Sequence, residues 1–265
     1  MLRSRSVSLL SDVERFLADA PRPCTYARSE RVASSPLHPS LLHRLRGLRA
    51  ARPVLSVLDS KFGGVPYVEE AALSWGGHRF LGQVRFDEVP EPPPGLPSRG
   101  LLALDLALAR FGAPVFRVRW YPDPSEAKAR PLAPPRSVGR WETRLRFSSG
   151  FSLPGGSAWT APLPADDEEL HEAWMEWTPE GYLEDEWGAE SSCHRLMGHP
   201  SGGLEDFGPV PGLGDTPEAY VMLWRIDLDR VAGFDWGTNW VYAVVHRDDL
   251  AANRLERAVV VTANA

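Results

Sequence analysis

From Val54 onward, glycine and proline cut the chain into short runs of strand length, and that punctuation favours sheet. Val54–Leu58 is a short apolar run, and Arg79–Phe86 and Leu101–Leu106 follow it. Val115–Tyr121 alternates, with Phe116, Val118 and Trp120 on one side and Arg117 and Arg119 on the other. Trp141–Phe147 alternates again, and Tyr220–Ile226, Asn239–His246 and Ala258–Thr262 read as strands near the end. Pro90–Pro97 reads as a stiff extended connector and Pro122–Pro135 as a long excursion. With 23 glycines and 25 prolines in 265 residues, the chain is rich in turns yet below the ~25–30% that marks low complexity.

Helical spacing appears in three places. Residues 8–18 carry Leu9, Val13, Phe16 and Leu17 on one face, and residues 39–50 carry Leu41, Leu42, Leu45 and Leu48. Asp248–Asn253 reads as a short helix capped by Asp248. Arg44, Arg46 and Arg49 fall on the outer face of the second helix and read as solvated. They lack the aromatic interleaving of a nucleic-acid surface, and the chain is acidic overall.

The net charge of −6 conceals a division. Residues 1–150 hold 23 basic against 14 acidic residues, and residues 151–265 hold 6 against 21. No apolar stretch approaches the ~20 residues of a membrane span. The N-terminal apolar patch is too short for a signal-peptide core, and two distant cysteines, Cys24 and Cys193, make no disulfide framework. A cytoplasmic protein with free thiols is expected.

Two stretches echo each other. Phe62–Pro66, Phe80–Val89 and Gly100–Leu104 match Leu196–Pro200, Met222–Val231 and Trp240–Val244 in order. Each has a Gly-x-Pro turn, an apolar strand ending in acid, a loop and a further strand. A true duplication would make two related β units, with ligand sites favoured between them.

The same segments resemble a bacterial family of unknown function, the YwqG-like family. Ser60-Lys61-Phe62-Gly63-Gly64-Val65-Pro66 is similar to its opening signature, and Phe80-Leu81-Gly82-Gln83 to its Phe-Leu-x-Gln strand. Leu96–Leu102, His194–Pro200, Asp235–Tyr242 and Asp248–Leu250 are similar to its later steps. Met197, Arg225 and Thr238 depart from the pattern: a small residue, a glutamine and an acid are usual there. The resemblance implies an α+β, mainly β and roll-like fold of two related β units. Peripheral N-terminal helices (residues 1–53) and an acidic helical insert (160–192) would flank a domain over 54–262, with halves at about 54–150 and 193–262. It implies no reaction, and some members resemble immunity proteins of toxin systems.

Candidate sites follow from residue chemistry. Lys61 before Gly63 and Gly64 could present a charge and backbone amides to an anion, or the glycines could simply make a tight turn. Gln83 and Arg225 occupy matching places in apolar strands. Each either closes a backbone network or faces a cleft between the halves. His194, His199 and Trp236 complete the ligand-cleft candidates. Cys193, His194 and His199 offer at most three metal ligands, and no nucleophile elbow accompanies His194, so no metal, cofactor or catalytic residue is assigned.

The strongest local signal is acidic. Asp166–Glu190 holds 11 acids and no lysine or arginine. Asp166 and Glu169 fit a helix start, and Leu170, Ala173, Trp174 and Trp177 share a face. Asp166, Asp167, Glu168, Glu172, Glu176, Trp177, Tyr182, Glu184, Asp185, Glu186 and Trp187 are the partner-binding candidates. Acids would steer a basic partner and aromatics would anchor it. The expected function is a non-enzymatic protein-binding module, plausibly an immunity-type inhibitor of a basic protein such as a toxin. A small-ligand binder with a cleft between the β units is the alternative, and an Asp/Glu or His hydrolase the third reading.

Overall fold

The computed structural model describes residues 21–32, 36–37, 52–70, 73–107, 114–130, 132, 137–152, 193–200, 219–235 and 239–264. They form one ten-stranded antiparallel sheet: β1 (Arg22–Arg31), β2 (Lys61–Phe62), β3 (Arg79–Arg85), β4 (Leu101–Ala107), β5 (Val115–Tyr121), β6 (Thr143–Ser152), β7 (Cys193–Leu196), β8 (Tyr220–Ile226), β9 (Asn239–His246) and β10 (Val259–Asn264). The spatial order is β10-β9-β8-β7-β1-β6-β2-β3-β4-β5. The two edge strands approach each other, so the sheet is nearly closed and barrel-like. Trp120 on β5 donates its indole N–H to Asn253 O at 3.1 Å across that seam.

This corrects the α+β expectation. Among the described residues, helix is confined to α1 (Arg247–Ala251) and single turns such as Phe86–Glu88 and Leu255–Arg257. The N-terminal helices at 8–18 and 39–50 and the acidic helix lie outside the described residues. Residues 22–31, assigned to the helical extension, instead form a central strand. Its inward face carries Thr25, Ala27 and Ser29, too small and polar to show an apolar period, and pairing on both sides decides its conformation. Val54–Leu58 is not a strand, and α1 is capped by the His246 ring, which accepts from Asp248 N, rather than by Asp248. No helix among the described residues is long and apolar enough to cross a membrane.

The interior is a continuous apolar core that includes Phe62, Val84, Leu102, Leu104, Leu145, Leu196, Trp224 and Val241. Phe62 and Trp224 stack there at 5.7 Å. Registers match about the central β1–β6 pair. Lys61 opposes Gln83 and Phe62 opposes Gly82, as Arg195 opposes Arg225 and Leu196 opposes Trp224. A register slip falls between Phe80 and Gly82 and again between Met222 and Trp224. The next strands are offset by one from the sequence echo: Ala103 faces Gln83, but Tyr242, not Ala243, faces Arg225.

Candidate functional site

The glycine-rich motif builds β2 and the turn after it. Gly63 and Gly64 adopt φ of 69° and 74°, a region that costs other residues ~1–2 kcal/mol. A Cβ on Gly64 would also collide with the carboxylate of Glu142. Lys61 is fully buried, and its ammonium donates to Ser56 O at 2.5 Å. Burial pushes its pKa down to about 8, against the pull of Glu142, Asp59 and Glu88.

Gln83 closes a backbone network. Its side-chain oxygen accepts from Tyr67 N at 2.9 Å, and its amide donates to Val57 O at 2.6 Å and Asp59 O at 2.9 Å. The side chain thereby pins the 57–67 excursion onto the sheet, the first of the two alternatives raised for it.

The counterpart residues are also engaged. Arg195 donates to His199 O at 2.5 Å, and Arg225 donates to Asp227 Oδ2 at 2.8 Å while lying over the Trp240 ring. His194 is fully buried against Phe62. Asp227 N donates to its Nδ1 at 3.1 Å, which places the ring proton on Nε2, 3.0 Å from Asp229 Oδ2. Burial pushes the Asp229 carboxyl up, but bonds from His194, Ser29 and Ala232 outweigh it and hold the pKa low. Both ring nitrogens therefore serve the core. His199 is half-buried, with its backbone N–H on Ser152 Oγ at 2.8 Å. Lys61 and Gln83 are neighbours, whereas Arg225 belongs to the other half of the sheet. Trp236 and every acidic-segment candidate from Asp166 to Trp187 lie outside the described residues.

Among the described residues, an open cleft lies where the sequence pointed to no site. All ten residues of β6 pair with β1 on one side, but only Thr143 and Arg144 pair with β2 on the other. Leu145 N still donates to Ser60 O at 3.0 Å, and there the neighbouring chain turns away. Alternate residues of a strand point their N–H and C=O the same way, so Phe147 and Ser149 aim theirs at the vacated side. A cleft of about 570 Å³ opens there. Arg144, Leu145, Arg146 and Phe147 form one wall, with Asp59, Glu88 and Pro90 across from them.

The cleft is polar at its rim and apolar at its floor. Leu145 belongs to the core and Phe147 packs against it, while Arg144 and Arg146 face outward. Arg144 lies 3.6 Å from Asp59, and Arg146 Nε lies 2.8 Å from Glu30 Oε2. Glu88 accepts from Ser60 N at 3.2 Å, yet desolvation raises its pKa above the ordinary carboxylate value. No sequence signal marks the cleft, because it arises where the two-residue β2 stops short of the ten-residue β6.

The family model described as Domain of unknown function (DUF1963) matches residues 60–263. No curated protein matches the chain.

Proposed function

Because the chain belongs to the family of the domain of unknown function DUF1963, whose description assigns no chemistry, we propose a role from the chain's own geometry: it is a non-enzymatic protein-binding module that accepts an extended segment of its partner along the open edge of β6. The observation that supports this reading is the stretch of β6 after Leu145, which has no strand partner on that side among the described residues and lies beside the cleft of about 570 Å³. An uncovered strand edge presents backbone donors and acceptors that another chain can satisfy. Within the family we place the chain in the YwqG-like group, on the Ser60–Pro66 motif. The matched registers about β1 and β6 support descent from a duplicated β unit.

A second reading rests on the 11 acids of Asp166–Glu190. That segment would dock a basic protein, in the manner of an immunity-type inhibitor of a toxin. One capture experiment from native-host lysate, at low and high salt, separates the two readings. Ser149→Pro removes an amide aimed at the cleft and leaves the β1 ladder intact. Loss of the captured partner in Ser149→Pro, with slowed amide exchange at Phe147 and Ser149 in the wild-type complex, supports strand addition. Capture that survives Ser149→Pro but disappears in high salt, or on neutralising Asp166, Glu168 and Glu172, gives the role to the acidic segment.

A further inference from the structure

His194 is held through both of its ring nitrogens. Nδ1 accepts the backbone N–H of Asp227 at 3.1 Å, and Nε2 donates to Asp229 Oδ2 at 3.0 Å. The ring is fully buried, and the Asp229 side chain is 1% exposed. This geometry requires the neutral ring. A proton added at Nδ1 turns an acceptor into a donor and sets it against the N–H of Asp227. A buried N–H without an acceptor is unfavourable, and moving it to water relieves that. We infer that His194 is a proton-operated latch: the neutral ring holds Asp227, and protonation releases that residue and, through its carboxylate, Arg225 on the other face of the sheet.

The charges about the ring decide which contact yields. Burial pushes the Asp229 carboxyl up, but its hydrogen bonds hold the pKa low, so it stays a carboxylate where histidine titrates. The contact from Nε2 to Asp229 therefore strengthens when the ring becomes a cation. Arg31 holds the same loop at Val231 O, 3.2 Å away, and Trp141 N donates to Ala232 O at 2.9 Å. β1 sets Ala27 opposite His194, and β2 sets Phe62 against the ring. Lys61 and Arg195 stand on the opposite face, since neighbours along a strand alternate. The response is thus a pivot about Asp229 that frees the start of the loop and leaves the rest seated.

Asp227 carries the change across the sheet. Its N–H meets His194, while its Oδ2 accepts from Arg225 at 2.8 Å. Arg225 stands opposite Tyr242, away from the main core, and its guanidinium lies 5.2 Å from the centre of the Trp240 ring. A shift of Asp227 therefore unseats a cation from an aromatic face.

Nuclear magnetic resonance on the full chain tests the latch between about pH 7.5 and 5.5, the range of histidine titration. At the upper end the imidazole spectrum is expected to show Nδ1 bare and Nε2 protonated. Amide exchange at Asp227, corrected for its intrinsic pH dependence, is expected to rise about tenfold relative to Leu104 as the pH falls. The Trp240 indole resonance is expected to shift with the same midpoint. His194→Gln, which has no ring to protonate, is expected to remove both changes. Asp227→Asn keeps the backbone N–H and is expected to keep the exchange response while losing the Trp240 shift. Exchange at Asp227 that does not change with pH, or that rises together with Leu104, would overturn the latch. A response that persists in His194→Gln would overturn the assignment to His194. A Trp240 shift that survives Asp227→Asn would overturn the link to Arg225.

Discussion

Lys61 shows how a residue chosen for its chemistry can be taken up by the fold. The position was legible, because a lysine before two glycines in an apolar context is conspicuous. Its role was not, because the partner Ser56 O is brought in by a loop that distant side chains, Gln83 and Glu142 among them, hold in place. The folded pKa of about 8 lies below the ordinary lysine value of 10.5. Between those values the unfolded chain retains a proton that the folded chain has released, so this group makes stability rise with pH. Relative to Lys61→Met, the wild type is expected to gain up to about 3 kcal/mol between pH 8 and 10.5. Urea midpoints of both proteins across that range check it; a difference independent of pH would show that Lys61 keeps its ordinary pKa.

Among the elements, three strands were legible to the residue: Val115–Tyr121, Tyr220–Ile226 and Asn239–His246 coincide with β5, β8 and β9. β5 shows its alternation directly, and β8 and β9 are apolar runs of strand length buried on both faces, so none of them needs distant information. β1 was invisible for the opposite reason, its inward face being threonine, alanine and serine. The turn after β2 was legible as a turn, and its two positive φ values recur at Met197 and Gly198, with φ of 59° and 88°. Met197 thus adopts a glycine-like conformation where the family pattern prefers a small residue. Gly64→Ala is expected to cost roughly 2–4 kcal/mol, combining backbone strain with the Glu142 collision. Gly76→Ala, with φ of 51° in open space, should cost only about 1 kcal/mol. Chemical denaturation of the two variants compares them, and equal losses would remove Glu142 from the account.

For the whole molecule, the central observation is that β1 lies between β6 and β7 although the family match begins at residue 60. Removing residues 1–35 takes away ten ladder partners of β6 and all four of β7. The shortened chain is expected to lose cooperative unfolding, and a peptide spanning residues 20–33 supplied in trans is expected to restore near-UV circular dichroism. A shortened chain that unfolds cooperatively without the peptide would show the sheet to be complete from β2 onward. By itself, the sequence determined the local quantities: strand periods, turn positions, a family and the division of charge, all of which depend on neighbours within a few residues. Only the tertiary structure decided that the strands make one nearly closed sheet, that Lys61, Gln83 and His194 serve its interior, and that β6 outruns β2. Those facts depend on pairing between segments as distant in sequence as Thr25 and Leu196, and no period or motif records which edge a strand will leave uncovered.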